Sequence, residues 1–330
     1  MNEKPLVTIV TVTFNLMKAG REKYFRQCLE SVHNQTYKNI EHIIIDGASS
    51  DGTVDLIKEY ARKGWVRYIS EKDSGIYDAM NKGIKMAKGK YIAFLNSDDF
   101  YHNKEGVELS VNALESSGAD FSYAPVINFD DKNNIKQIVI PKISNVFFTI
   151  TPCHQTMFVK KDVIIKEGMF NTDFKCVGDY DLTVRLCLKK YKSVFVNNTF
   201  LTYRLGGYSF EATRKGIVFN EVSSIYYKEY SKLHNITRKE CEEMCGCVYD
   251  ANYKDVPFSL ANKFRYLKPY FDYEEYLREI NLTKKKKKFS FDSFFLKRFI
   301  SRYWYKFLNS PLRQPARKVW FFIRGKKLIK

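Results

Sequence analysis

Short β-branched runs alternate with amphipathic helical segments through the first hundred residues. The predicted strands are residues 7–13, 40–45, 66–69 and 91–95. Apolar residues recur at helical spacing from Tyr24 to Val32 and again from Val54 to Ala61. Repeated strand–helix units predict an α/β fold with a mostly parallel sheet and helices on both of its faces.

The pattern changes after about residue 120. Short strands are predicted at residues 121–124 and 137–140, and helices at 161–166 and 179–189. Residues 210–280 are predicted to be mainly helical and contain no catalytic motif. We therefore expect a nucleotide-binding half (1–100), an acceptor half (101–210), a helical extension (211–283) and a tail (284–330).

Polar residues follow each of the first four predicted strands directly. They are Asn15, Asp46, Asp73 and the trio Asn96, Asp98 and Asp99. Any one of them is explained equally well as a helix cap or turn residue. Ligands of open parallel sheets, however, bind outside the carboxyl ends of the strands. As a set, these residues predict a binding site at that edge.

The chemistry of such an edge calls for a cation. Carboxylates alone repel phosphate, and their oxygen atoms suit Mg²⁺ or Mn²⁺. A divalent ion between them and a diphosphate would offset charge on a departing nucleotide. Residues 83–90 resemble a P-loop only faintly, since the glycine spacing is wrong and no Ser or Thr follows Lys90. No G-x-G-x-x-G follows the first strand.

The cysteines and the apolar runs predict a cytoplasmic protein. Seven scattered cysteines fit reduced thiols better than a disulfide framework. The cluster Cys241, Cys245 and Cys247 lacks paired C-x-x-C spacing, so ordinary thiols are favoured over a zinc site. The sequence has no predicted secretory signal and no run of about 20 apolar residues.

The tail carries most of the net charge of +18. Residues 284–330 contain sixteen Lys and Arg against one acid, Asp292. Aromatic residues from Phe291 to Phe307 recur every four positions between these cations, as in helices that lie in a membrane interface. We expect a peripheral protein at the inner face of the cell membrane, contacting anionic lipid rather than nucleic acid. A tail packed on its own enzyme would explain some of the aromatic residues.

Five segments together resemble the family-2 glycosyltransferases of the GT-A fold. They are residues 7–15, 45–53, 71–83, 94–100 and 177–185, within a match that covers about residues 5–210. The resemblance implies a metal-dependent, inverting transfer of a sugar from a nucleotide-diphosphate donor. A UDP-sugar is the favoured donor. The implied acceptor is a lipid-linked or growing glycan of the kind made in bacterial surface-polysaccharide synthesis.

The resemblance also implies roles for the residues at the donor side. Thr13 and Asn15 would line the nucleotide pocket, Asp46 would accept a hydrogen bond from the base, and Asp73 would help hold the nucleoside. Asn81 and Lys82 would also contact the donor.

The stretch Asn96–Asp99 takes the place of the family's D-x-D motif. Asp98 is the implied metal ligand and Asp99 its neighbour at the sugar. The sequence departs from the pattern at two positions. Asn96 replaces the first acid, and Met80 stands where many relatives have Arg, so that Lys82 is a candidate for the missing positive charge.

At the acceptor side, Asp179 is the implied general base, which would take the proton of the acceptor hydroxyl. Asp181 is its rival, because two helical residues about 200° apart cannot both face one cleft. His154 and Gln155 resemble a pair found at the acceptor side of relatives, although a histidine bonded inside a loop is the plainer interpretation. Gly206 and Gly207 resemble a pair that closes over the donor diphosphate, and a simple turn explains them nearly as well.

Two other functions fit parts of the sequence. A nucleotidyltransferase could use a similar acidic edge, but no glycine- and arginine-rich triphosphate loop is present near residue 1. A non-enzymatic protein could bind membrane or nucleic acid through its basic tail.

Overall fold

The computed structural model describes residues 4–147 and 149–250, which form two β-sheets and nine α-helices within that part of the chain. The strands are β1 (Val7–Thr13), β2 (Ile40–Asp46), β3 (Arg67–Ser70), β4 (Tyr91–Phe94), β5 (Phe100–Tyr101), β6 (Phe121–Tyr123), β7 (Val126–Asp130), β8 (Ile135–Val139), β9 (Phe158–Lys160), β10 (Ser193–Phe195) and β11 (Leu201–Arg204). The helices are α1 (Glu22–His33), α2 (Thr53–Arg62), α3 (Ile76–Met86), α4 (Gly106–Ser117), α5 (Lys161–Lys166), α6 (Gly178–Leu188), α7 (Tyr208–Arg214), α8 (Ile217–Tyr230) and α9 (Arg238–Asp250).

The larger sheet has seven strands in the order β10-β6-β9-β4-β1-β2-β3. Strand β9 is antiparallel to both of its neighbours, and the other pairings are parallel. The predicted mostly parallel sheet is therefore confirmed. Strands β1 to β4 each begin and end within one residue of the predicted bounds.

The second sheet has the order β5-β11-β7-β8 and was not predicted. Only β8 in this sheet corresponds to a predicted strand, and its bounds are two residues earlier at the start. Strands β5 and β11 are short and pair across almost a hundred residues, as Leu201 does with Tyr101. Local periodicity carries little information about such pairings.

Helices cover both faces of the larger sheet, as predicted. Along β1, Val7 and Ile9 pack in a core with α1 and α4, whereas Val10 packs on the opposite face with α3. The same alternation in β2 sends Ile44 toward α1 and α2. Because both faces of β1 are covered, its residues are β-branched throughout, with valine or isoleucine as well as threonine on both faces.

A buried polar network joins the two sheets, and we call its members Asp99, Gln155 and Arg204 the junction network. Asp99 lies between β4 and β5 and is 1% exposed. It accepts hydrogen bonds from the backbone N–H of Arg204 at 2.6 Å and from Gln155 Nε2 at 2.7 Å. Burial, together with the charge of Asp98 beside it, raises the pKa of Asp99 to about 8 despite these donors.

The helical extension follows the predicted pattern as far as the structure describes it. Helices α7, α8 and α9 occupy most of residues 208–250, and Cys241 and Cys245 are buried in α9. Residues 251–283 of the predicted extension, and the whole predicted tail, lie outside the described residues. None of the helices described is long and apolar enough to cross a membrane.

We expect Gly83→Ala to destabilise the protein, because α3 approaches β1 too closely there for a side chain. An added Cβ would collide with Val10 Cγ1 and lie 3.1 Å from its Cγ2. Overpacking of this kind costs roughly 1–3 kcal/mol. Gly246→Ala is the matched control, since no atom of the described residues lies within 4 Å of its Cβ position and alanine is the better helix former. Urea unfolding of both variants tests this, and equal stability would contradict the packing argument.

We expect Asp99→Asn to remove a pH dependence of stability. Because the folded state raises the pKa of Asp99 to about 8, whereas an unfolded Asp has about 3.9, the folded protein binds this proton more tightly. The stability that it provides is complete below about pH 4 and is lost as pH rises through about 8. The difference in unfolding free energy between variant and wild type should therefore change by about 1 kcal/mol per pH unit from pH 5 to 7. Asp55→Asn, at a largely exposed carboxylate, should show no such slope.

Candidate functional site

The carboxyl ends of β1, β2 and β3 place three polar side chains side by side. Thr13 pairs with Asp46 in the parallel register, and Asp46 pairs with Ser70. Both hydroxyl groups donate to the Asp46 carboxylate, Thr13 at 3.0 Å and Ser70 at 2.7 Å. Strand order thus brings the predicted residues Thr13 and Asp46 together.

The Asp46 carboxylate is saturated by groups of its own chain. Besides Thr13 and Ser70, it accepts hydrogen bonds from Ser49 N at 2.9 Å and from Ser49 Oγ at 2.6 Å, and it is fully buried. Four donors fill the lone-pair positions of a carboxylate. A nucleotide base can reach Asp46 only if one of these hydroxyls turns away, so base recognition by Asp46 stays a prediction.

Asn15 and Asp73 shape the loop that follows β2. Asn15 has a φ of 47°, donates its N–H to Ser49 Oγ at 2.8 Å and accepts from Ser50 N at 3.1 Å. Asp73 lies over Gly47, where an added Cβ would come within 2.6 Å of Asp73 Oδ2. Glycine at position 47 therefore lets the Asp73 side chain lie against the residue that follows Asp46.

Residues 96–99, which we call the donor segment, follow β4. Asp98 Oδ2 forms an ion pair with Arg21 Nη1, and the side chain of Asp98 is 17% exposed. Gly207 lies close enough that an added Cβ would be 3.6 Å from Asp98 Oδ2. Gly207, the second residue of the predicted glycine pair, thus lies close to the predicted metal ligand.

Asn96 presents an unsatisfied acceptor in the same segment. Its N–H donates to Gln155 Oε1 at 2.7 Å, but its buried Oδ1 has no hydrogen-bond partner among the described residues. Buried amide oxygens are rarely left unpaired in proteins, so this atom indicates a missing ligand or water.

The donor segment could hold a hard divalent cation if a diphosphate supplied some of the ligands of that cation. Within the described residues, no three His, Cys, Asp or Glu side chains form a metal-binding group. Asp98 offers one carboxylate and Asn96 a free amide oxygen, which are ligand types that Mg²⁺ and Mn²⁺ accept. A cation at this place would take its remaining ligands from the substrate.

Asp99 occupies a different environment from Asp98. Its two oxygen atoms accept from the junction network, and it is closed to solvent. Both oxygen atoms of Asp99 are therefore occupied by hydrogen bonds within the protein. The predicted contact of Asp99 with the sugar stays a prediction.

At the start of α6, Asp179 lies between His154 and Tyr77. Asp179 Oδ2 is 2.7 Å from His154 Nδ1, and Oδ1 accepts from the Tyr77 hydroxyl at 2.9 Å. Burial alone would raise the pKa of Asp179, but the attraction and hydrogen bond of His154, with that of Tyr77, lower it below its usual value. The Asp179–His154 pair is therefore built around an ionised carboxylate.

Asp181, the rival base, points into the protein. It is fully buried, with Arg185 Nε at 2.9 Å and Lys228 Nζ at 3.3 Å. Asn81 is likewise occupied, because its amide exchanges two 2.9 Å hydrogen bonds with the backbone of Phe170. Both residues line a cleft of about 430 Å³ whose lining includes neither Asp98 nor Asp179.

Lys82 is also engaged away from the donor segment. Its Nζ donates to the Lys72 carbonyl at 2.6 Å and pairs with Glu71 at 2.9 Å. Its contact with a donor phosphate would require these partners to release it, and the contact stays a prediction. The same holds for Asn81 and for an acceptor contact of Asp181.

Three residues of the site were missed in the sequence. Arg21 reaches Asp98, Tyr77 reaches Asp179, and Arg204 contacts both Asp99 and the carbonyl of Asp98. Arg21 and Tyr77 lie next to or within matched segments but carry no motif of their own. Arg204 belongs to β11, which periodicity did not reveal.

Comparison with known proteins identifies the family of this chain. Residues 8–171 match the model of the family described as glycosyl transferase family 2. An uncharacterized glycosyltransferase of Methanocaldococcus jannaschii is 30% identical over 214 residues, which cover 62% of this chain and 72% of that protein. A PGL/p-HBAD biosynthesis glycosyltransferase of Mycobacterium tuberculosis is 27% identical over 55% of this chain and 69% of its own length.

Two solved structures share the fold. TarS 1-349 of S. aureus, in complex with UDP-GlcNAc, superposes with a TM-score of 0.56 at 14% identity, over 76% of this chain and 78% of that one. The mannosyltransferase PcManGT of Pyrobaculum calidifontis, in complex with GDP-Man and Mn²⁺, gives 0.54 at 15% identity, over 82% and 83%. The fold is GT-A-like, and the chain belongs to glycosyl transferase family 2.

Proposed function

We propose that the protein transfers one sugar, with inversion, from a nucleoside-diphosphate donor to a hydroxyl group of a lipid-linked or growing glycan. A UDP-sugar is the first candidate donor, and Mn²⁺ or Mg²⁺ is required. The observation that carries the proposal is the placement of two chemically different acids. Asp98 is partly exposed beside a free amide oxygen and Gly207, and Asp179 is ionised beside His154.

The donor segment supports a diphosphate site. A cation bound by Asp98 would offset the negative charge that develops on the leaving nucleoside diphosphate. Arg21 keeps Asp98 paired when no cation is there, and it supplies a second positive group at the same place. Gly207 brings backbone without a side chain next to Asp98, since even an added Cβ would lie 3.6 Å from Asp98 Oδ2.

The Asp179–His154 pair supports the chemistry at the acceptor. In an inverting transfer, the acceptor oxygen bonds to the anomeric carbon as the bond to the phosphate oxygen breaks. The hydroxyl proton must leave to a base within hydrogen-bond reach. Tyr77 holds the carboxylate from its other side, which fixes the position of the pair.

The bound molecules of the structural neighbours agree with this donor class. TarS is solved with UDP-GlcNAc and PcManGT with GDP-Man and Mn²⁺. At identities of about 15% these structures support the fold, so the nucleotide and the sugar of this enzyme are part of the proposal.

We expect Asp98→Ala to abolish metal-dependent transfer. Removing one electrostatic group at a developing charge typically costs about 10²–10³ in rate. Donor consumption is measured with a panel of UDP- and GDP-sugars, with Mn²⁺, with Mg²⁺ and with EDTA. Asp55→Ala, an exposed acid on α2, is the control and should retain wild-type rates. Activity that survives both chelation and Asp98→Ala contradicts the metal-dependent mechanism.

We also propose that residues 284–330, which lie outside the described residues, bind the anionic inner face of the cell membrane. Each basic residue near such a surface contributes about 1 kcal/mol, and salt screens the attraction. Full-length protein should sediment with phosphatidylserine vesicles at low salt. Replacing the five lysines 284–288 by glutamine should weaken binding by at least about tenfold. Replacing Lys58 and Lys63, on or just after α2, should not. If the protein sediments with neutral vesicles but not with phosphatidylserine vesicles, the proposal is wrong.

A further inference from the structure

The loop before α6 is bonded to the helical extension through one side chain. Glu221 lies near the start of α8 and is half-buried. Its carboxylate accepts three successive backbone N–H groups, those of Lys175 at 2.6 Å, Cys176 at 2.9 Å and Val177 at 3.1 Å. We propose that Glu221 is a positioning residue, which holds the Asp179 carboxylate where it takes the acceptor proton. This inference rests on the proposed function.

A carboxylate is the side chain best suited to this set of donors. The first N–H reaches Oε1 and the next two reach Oε2, so both oxygen atoms of Glu221 are used. Hydrogen bonds from a backbone N–H to an ionised acceptor are roughly twice as strong as those between neutral groups. A negative charge at the start of a helix also interacts favourably with the helix dipole. Glu221 therefore fixes three consecutive peptide groups on which α6 begins.

The position of Asp179 depends on this stretch of backbone. The Tyr77 hydroxyl and His154 Nδ1, at 2.9 and 2.7 Å, set the direction of the Asp179 carboxylate. Its distance from an acceptor also depends on where the backbone of α6 begins. At Gly178 the chain lies against the Tyr77 ring, because an added Cβ would be 2.9 Å from two ring carbons. The backbone before Asp179 is thus confined at Gly178 by Tyr77, and at the three residues before it by Glu221.

The electrostatics of Cys176 place both carboxylates in one neighbourhood. Burial raises the pKa of the Cys176 thiol to about 12, and the negative charges of Asp179 and Glu221 contribute to the same shift. Both acids are therefore close enough to influence one side chain of the loop. Glu221 lies in the immediate surroundings of the proposed base, and not at a remote point of the extension.

The proposal makes α8 part of the catalytic unit. This helix lies beyond residues 8–171, which match the family model, and beyond the predicted end of the acceptor half at residue 210. Val222 and Ile225 of α8 pack in the same core as Leu182 of α6. The apolar side of α8 thus holds it beside α6, while its Glu221 bonds the loop from which α6 starts.

Substitution of Glu221 tests the role in catalysis. Glu221→Ala should lower kcat by about 10²-fold, as a misplacement of about 1 Å can do. Glu221→Gln preserves the size of the side chain but leaves one acceptor oxygen, so its loss should be smaller. Affinity for UDP or GDP with Mn²⁺, measured by thermal shift, should be unchanged in both variants. Glu211→Gln is the surface control, since this exposed acid of α7 pairs with Arg214 of its own helix at 3.1 Å.

A second control separates positioning from stability. Val222→Ala removes buried methyl groups from α8 but keeps the Glu221 carboxylate, so it should lower Tm and retain the wild-type kcat well below that Tm. Hydrogen exchange followed by mass spectrometry reports the contact itself. The amides of residues 175–177 should lose their protection in both Glu221 variants and keep it in Glu211→Gln.

The outcomes are separable from those of the proposed function. Wild-type protein that neither binds nor consumes any nucleotide-sugar refutes the proposed function, and the role of Glu221 falls with it. If wild-type protein is active, the inference is wrong when Glu221→Ala loses no more kcat than Val222→Ala does. It is also wrong if both Glu221 variants leave the exchange of residues 175–177 unchanged, or if their loss of activity follows from lost nucleotide affinity.

Discussion

The side chain of Asp99 is held in a closed environment at the point where the two sheets meet. It bonds the backbone of β11 in one sheet and the Gln155 side chain ahead of β9 in the other. An unpaired polar group at such a place would cost about 1–3 kcal/mol, so these partners stabilise the junction of the two sheets. Through Gln155, the same network fixes the backbone of Asn96 and the position of His154. The predicted donor-side residue Asn96 and the predicted acceptor-side residue Gln155 are thus linked to one buried carboxyl group.

Four acids among the predicted site residues differ because their surroundings differ. Asp46 is saturated by hydroxyl and backbone donors, and Asp98 is partly exposed beside Arg21. Asp99 has a raised pKa, because it is buried next to Asp98. Asp179 has a lowered pKa, because His154 and Tyr77 outweigh its burial. Pairs of titratable groups pushed in opposite directions are typical of sites that divide structural and chemical roles.

The sequence predicted well what depends on local pattern. Strand β1 and helix α5 have their predicted bounds, and the polar residues at the ends of β1, β2 and β4 lie at one edge as the topology requires. It did not predict β11, so Arg204 was missed together with the buried setting of Asp99. It also could not show that Asn81 and Asp181 are bound by Phe170 and Arg185, since these partners come from packing between helices and loops. Residue type and spacing locate candidate groups, but long-range contacts decide which of them remain free.

The presence of Asn96, in place of the first acid of the D-x-D motif, has a physical reason. A third acid beside Asp98 and Asp99 would add like charge to a segment where burial already raises the pKa of Asp99. The neutral amide avoids this repulsion and keeps an oxygen ligand, its unsatisfied Oδ1. With Asp98 as the only partly exposed acid of residues 96–99 and Arg21 paired to it, the protein alone offers a cation little net negative charge. Under the proposed function, the diphosphate must bring most of that charge, so cation and donor would bind as one unit.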